Sequence, residues 1–223
     1  PTPGFGGSMA LTFPVPLGEF FDELQVQSVA FELIESYAES ATRGGRLIRL
    51  ELGDARWSAQ MGLSPMGAGD ARRVAAMIRR IGAYNKFHLY NPEAPFPRLD
   101  PDGTGLNGTD VRVHAGGGRT LRLTGLPGGY TLSWGDMIAV TYAGGRRQLF
   151  EVSDYVEALA GGVTTHFEVT PPPRLGIAIG DPVDLRKAAG RFAFTSRDIG
   201  STDFTERLRS GVTLSAIEDL GAP

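Results

Sequence analysis

Between Arg119 and Arg174 the chain is a succession of short runs in which apolar residues recur at every second position, punctuated by glycine pairs. Arg119 to Pro127, Leu132 to Val140, Arg146 to Val152 and Thr164 to Val169 are the runs; Gly128-Gly129, Gly144-Gly145 and Gly161-Gly162 are among the breaks, and Pro171-Pro172-Pro173 closes the series. Period-two hydrophobicity puts alternate side chains on opposite faces of an extended chain. Glycine enters positive φ without a Cβ clash, so paired glycines between such runs let the chain turn back on itself. The segment therefore reads as an antiparallel meander, and nothing within it resembles a reaction centre.

The 223 residues suffice for one large or two small domains, and 41% hydrophobic with 21% charged residues is ordinary for a globular protein. The chain has no cysteine. That removes disulfides, thiolate-held metals, iron–sulfur clusters and thiol nucleophiles from consideration. With 22 basic and 25 acidic residues, a net charge of -3 gives no bulk attraction to nucleic acid or to an anionic membrane. No apolar run approaches the roughly 18 residues that a membrane-spanning helix needs, and Pro1 to Gly7 lacks the order of a signal peptide. The expectation is a soluble protein made in the cytoplasm, with no sequence-specific nucleic-acid partner and no membrane insertion.

The pattern along the chain predicts a mainly β fold. Residues 1–9, rich in glycine and proline, read as a flexible arm able to reach a neighbour, and residues 10–99 as a β-rich domain. Within it, Val29, Phe31 and Leu33 alternate with Ala30, Glu32 and Ile34. After Arg43-Gly-Gly-Arg46, Ile48, Leu50 and Leu52 alternate with Leu47, Arg49 and Glu51, which predicts two strands and a glycine turn. A further strand carries Trp57, Ala59, Met61 and Leu63 on one face. The period then changes: Val74, Met77, Ile78 and Ile81 predict one amphipathic helix over 70–81, capped by Asp70 and stopped at Gly82. Lys86 to Tyr90 returns to strand. Residues 100–110 form a polar linker loop, and 111–223 an all-β domain, sandwich or barrel, in which Val183–Lys187 and Arg191–Thr195 pair as a hairpin and 211–218 is a last strand. The first half is thus α+β, one helix on an antiparallel sheet. Residues 196–210 take no assignment.

Several patterns invite a chemical reading. Gly103-Thr-Gly-Leu-Asn-Gly108 matches the dinucleotide fingerprint G-x-G-x-x-G, but Pro101-Asp102 precedes it where a buried strand belongs, and Val111-Arg-Val113 follows where a helix belongs. Asp100, Asp102, Asn107 and Asp110 are hard oxygen donors of the kind calcium prefers, yet Val111 stands where an EF-hand needs its bidentate acid. His88, His114 and His166 are far apart and lack partners at metal-binding intervals. Glu151, Asp154 and Glu157 are close enough in sequence for a glycosidase pair, an interval that any acid-rich chain offers. Arg72, Arg73, Arg79 and Arg80 make a basic helical face without interleaved aromatics. These readings assign no catalytic, cofactor or metal residue.

The order of these pieces resembles a known family. A tryptophan strand from Arg56 to Met66, an arginine-rich helix ending at Ile81-Gly82, and a strand running from Lys86 to Pro92 come first. Leu121 to Leu126, Gly135-Asp136-Met-Ile, Glu151 to Val156, Gly161 to Thr165 and Pro171 to Arg174 follow. Over about residues 46–195 the series is similar to the distal-tail or tail-tip structural proteins of long, non-contractile-tailed bacteriophages. The resemblance implies a β-rich virion protein without enzymatic activity or cofactors. It implies a ring of identical subunits, six-fold or three-fold, joining tail tube to hub around an axial channel for DNA. Two other functions stay open: a carbohydrate-binding or receptor-binding module, for which Trp134 beside a turn is the candidate contact while Trp57 reads as core, and a cell-wall hydrolase of the tail tip.

Overall fold

A computed structural model describes residues 12–41, 43–195, 203–205, 208–210 and 213–221; the expected arm over 1–9 lies outside them. After two 3-10 turns at Leu17–Glu19 and Phe21–Glu23, the chain forms a long antiparallel hairpin of β1 (Val26–Ala41) and β2 (Leu47–Leu63), paired from Val26↔Leu63 out to Ala41↔Leu47. The runs expected as separate strands before and after Gly53 are one strand. The interruption is absorbed by shifts of register between Ile34 and Tyr37, a bulge that bends the ribbon without ending it. After β3 (Met66–Gly67) comes α1 (Ala68–Ile81), and then β4 (Phe87–Tyr90).

Helix α1 buries Ala71, Val74, Ile78 and Ile81 along one stripe and leaves its arginines outside. It begins two residues before the expected cap, so Asp70 sits in the first turn and Gly67 takes the N-cap position without a side-chain cap. At its other end Gly82 adopts φ 64°, and its N–H donates to the Ile78 carbonyl over 2.8 Å. Asp70 near the start and Arg79 and Arg80 in the last turn complement the helix dipole.

Strands β5 (Arg112–Gly117), β6 (Thr120–Thr124), β8 (Met137–Tyr142), β9 (Arg146–Val152), β11 (Phe167–Thr170) and β12 (Val183–Asp184) form an antiparallel sheet in the order β12-β8-β9-β11-β6-β5. The ribbon of β7 (Thr131–Leu132) and β10 (Val156–Glu157) packs on the same core. The sheet nearly closes into a barrel. Its two edges meet where Val113 N–H donates to the Asp181 carbonyl and Val183 N–H to the Val111 carbonyl, each over 2.9 Å. Val113, Leu121, Leu123, Ile138, Val140, Phe150, Phe167 and Val169 fill one continuous cluster. The glycine corners expected between these strands do adopt positive φ, at Gly129, Gly144, Gly145 and Gly162.

The sheets do not divide at the 100–110 loop. Strand β13 (Ala189–Phe194) and, after the short β14 (Asp203–Thr205) and β15 (Leu208–Ser210), strand β16 (Thr213–Glu218) enter the first sheet, whose order is β1-β2-β16-β13-β4. Strand β15 pairs with β14 on one side and with β3 on the other in a small third sheet. The hairpin expected from 183–187 and 191–195 is absent, because β12 joins the barrel and β13 pairs with β4 and β16. All six residues of β13 are buried, as a strand between two neighbours and beneath a second layer must be.

The two layers share a wall. In β8, Ile138 and Val140 belong to the barrel cluster, whereas Met137 and Ala139 belong with Trp57, Phe87 and Phe192 in the cluster of the first sheet. Leu149 and Phe150 in β9 divide in the same way. A buried carboxylate crosses this junction: Glu218 accepts from Leu149 N–H over 2.9 Å on one oxygen and from Trp57 N–H over 3.2 Å on the other. The Trp57 indole N–H donates to the Leu149 carbonyl over 3.0 Å.

Candidate interaction surfaces

Beyond the bulge the hairpin leaves the core. Every residue of Ile34–Ala41 and of Leu47–Leu52 is exposed. Directly paired residues project to the same side of an antiparallel ladder. One side of the arm therefore carries Ala38 with Leu50 and Ser40 with Ile48, and the other carries Tyr37 with Glu51, Glu39 with Arg49 and Ala41 with Leu47. The second side is held by a Glu39–Arg49 ion pair of 2.9 Å, with the Arg49 guanidinium 5.1 Å from the centre of the Tyr37 ring. On the first, Ile48 and Leu50 stand 52% and 65% exposed. Strand β1 is also an edge of its sheet, so a 16-residue strand presents an unpaired backbone edge.

Between the arm and the barrel lies a groove of about 580 Å³, with Tyr37, Arg49 and Glu51 on one wall and Tyr142, Arg146 and the triple proline on the other. Gln148, almost wholly buried, fixes the proline wall: its side-chain amide donates to the Pro172 carbonyl and accepts from Arg174 N–H, each over 3.0 Å. Arg174 then pairs with Asp54 at the root of the arm over 2.5 Å and donates to the Leu220 carbonyl over 2.9 Å. These contacts tie the proline wall to the root of the hairpin.

A third surface feature is aromatic. Trp134 and Tyr155 are 58% and 51% exposed, with ring centroids 6.2 Å apart and planes inclined by 36°. Trp57, by contrast, lies in the core stacked on Phe31.

The patterns singled out in the sequence take separate places. In the 100–110 loop, Gly103 precedes a single 3-10 turn at Thr104–Leu106, and the oxygen donors face their own chain: Asp100 accepts from the Tyr130 hydroxyl, Asp102 from Thr104, Asn107 from Arg186 and Asp110 from Arg112. His88 is in β4 and His114 in β5, while His166 precedes β11 beside Thr120. Burial, reinforced by Arg147, holds the His88 imidazole below its usual range. Glu151 lies in β9, Glu157 in β10 and Asp154 in the turn between them. Among the described residues no cluster of three or more His, Asp or Glu side chains is arranged to hold a metal ion. Sequence reading missed the Gln148 clamp and the Glu218 junction, since each depends on partners between 24 and 161 residues away, for which no local pattern exists.

Fold and surfaces together define a mainly antiparallel β protein, a near-closed barrel on a five-stranded sheet, from which a two-stranded arm projects. No family model matches this sequence, and no curated protein matches it.

Proposed function

We propose that this chain is a non-enzymatic structural subunit of the tail tip of a long, non-contractile-tailed bacteriophage. It assembles with copies of itself into a six-fold ring that joins the tail tube to the hub and leaves an axial channel for DNA. The observation that carries this reading is the β1–β2 arm, exposed on both sides and bearing Ile48, Leu50 and Leu52 in water. A solitary globule gains nothing from such an arm, whereas burying a large aliphatic side chain against a neighbour contributes about 1.5–3 kcal/mol when it is complete. Ring closure needs two different patches on each subunit. The arm is one, and the largely exposed Leu175 and Ile179 after the triple proline offer a second. The resemblance over 46–195 supplies the setting, with tail-tube and hub proteins as the further partners and the virion as the location.

Light scattering on the purified chain, followed by electron microscopy of assembled tails, tests the reading. A ring of fixed stoichiometry at the tip is expected, and Leu50→Glu with Ile48→Glu should release monomers of unchanged melting temperature. A wild-type chain that stays monomeric at high concentration and is missing from purified particles overturns the proposal.

A further inference from the structure

The exposed aromatic pair calls for its own explanation, because its two rings stand on turns that are held from beneath. Asp136, buried, accepts from Ser133 N–H and from Arg98 N–H, each over 2.7 Å, and Gly135 N–H donates to the Val152 carbonyl over 3.0 Å. The turn that presents Trp134 is therefore tied to two other segments. On the other side Asp154 accepts from Tyr155 N–H over 2.7 Å. The register of the β7–β10 ribbon decides which way Tyr155 faces. Leu132 pairs with Val156 and both are buried, so Thr131, Glu157 and Tyr155 belong to the opposite, outer side. The outer side thus combines an aromatic pair with a hydroxyl and a carboxylate. Among the described residues neither the Trp134 indole N–H nor the Tyr155 hydroxyl has a partner within the chain.

We infer that Trp134 and Tyr155 form a binding site for an uncharged pyranose oligosaccharide. The face of an aromatic ring is the negative part of its quadrupole, and the C–H face of a pyranose is weakly positive, so the two stack while the sugar hydroxyls remain free to donate. The two rings stand 6.2 Å apart with planes inclined by 36°, so that one oligosaccharide can touch both, and Thr131 and Glu157, on the same side of the ribbon as Tyr155, offer acceptors beside Asp154, the residue before Tyr155. The carboxylates also exclude the commonest alternatives, since they repel the phosphates of nucleic acid and of anionic lipid. Because the turns that carry the rings are tied down, little backbone freedom is lost on binding. This site does not depend on ring assembly.

The test is a fluorescence titration of the full chain with three neutral probes, maltotetraose, cellotetraose and chitotetraose, and with one polyanionic probe, a heparin tetrasaccharide. Trp57 is buried, so a ligand-induced change in emission reports on Trp134. At least one neutral probe should give a saturable change, confirmed by calorimetry. Tyr155→Ala should weaken binding at least about tenfold, and Trp134→Ala should do the same in calorimetry. Trp134→Phe should retain most of the affinity, and all three variants should keep the wild-type melting temperature. The inference is overturned if no neutral probe binds, if only heparin binds, if Trp134→Ala and Tyr155→Ala bind as wild type, or if these variants change the oligomeric mass instead.

Discussion

At the scale of single residues, Glu218 makes the sharpest prediction. Burial drives its carboxyl up to about 7 from an ordinary 4.5, against the opposing pull of two backbone N–H donors and of Arg174 and Arg56. In the unfolded chain the same group ionises near 4.5. Between those two values the folded state holds a proton that the unfolded state has released, so raising the pH across this window costs stability. The whole interval corresponds to roughly 3 kcal/mol, fully present below it as a favourable contribution and lost above pH 7. Glu218→Gln imitates the protonated acid at every pH. Urea unfolding at pH 5 and pH 8 should show the wild type losing roughly 2–3 kcal/mol relative to the variant; a constant difference would mean that the carboxyl titrates normally. Nothing in Ser215-Ala-Ile-Glu218 announces this role, because its donors come from Trp57 and Leu149. The exposure of Trp134 and the burial of Trp57 were legible, since one lies beside a glycine turn and the other on the apolar side of its strand.

At the scale of elements, periodicity located strands and helix well and partners poorly. Helix α1 followed from a stripe at 3.6-residue spacing, and the body strands followed from alternation between glycine corners. Alternation states which residues face inward and leaves open which strand lies alongside, so the pairing of β13 with β4 and β16 is not legible in its sequence. The stripe on α1 can be tested directly. Ile78→Ala should destabilise by about 2–5 kcal/mol through the cavity it leaves, whereas Arg79→Ala on the outer face should change stability by less than about 0.5 kcal/mol in denaturant titrations. Gln148 makes a comparable prediction for the proline wall. Replacing it with Ala strands the Pro172 carbonyl and the Arg174 N–H, at a cost of about 1–3 kcal/mol, and loosens the joint from which the arm projects. Faster amide exchange near Arg174 and Asp54 is the expected signature, and unchanged exchange there would show that the wall stands without the clamp.

At the scale of the whole molecule, the arrangement of strands decides whether the chain is one folding unit or two. The polar 100–110 loop looks like a boundary in sequence, yet the first sheet is completed only when β13 and β16 enter between β2 and β4. A fragment ending at residue 110 would keep β1, β2, β3, α1 and β4 but would lack the two strands that join β4 to the hairpin. It would also expose Trp57, Ala59, Phe87 and Leu89, which in the intact chain share one core cluster with Phe192 and Phe194 of β13 and with Met137, Ala139 and Leu149 of the barrel wall. The complementary fragment would carry β16 with no β2 to receive it, and Glu218 with only one of its two donors. Shared burial of Met137, Ala139 and Leu149 binds the layers thermodynamically, because unfolding either exposes apolar surface of the other. The expected outcome is one calorimetric transition for the full chain, with van't Hoff and calorimetric enthalpies in agreement, and an unfolded 1–110 fragment by near-ultraviolet circular dichroism. Two resolved transitions, or a fragment with native-like aromatic signals, would restore the boundary at the loop and make the contact between layers a docking of independent domains.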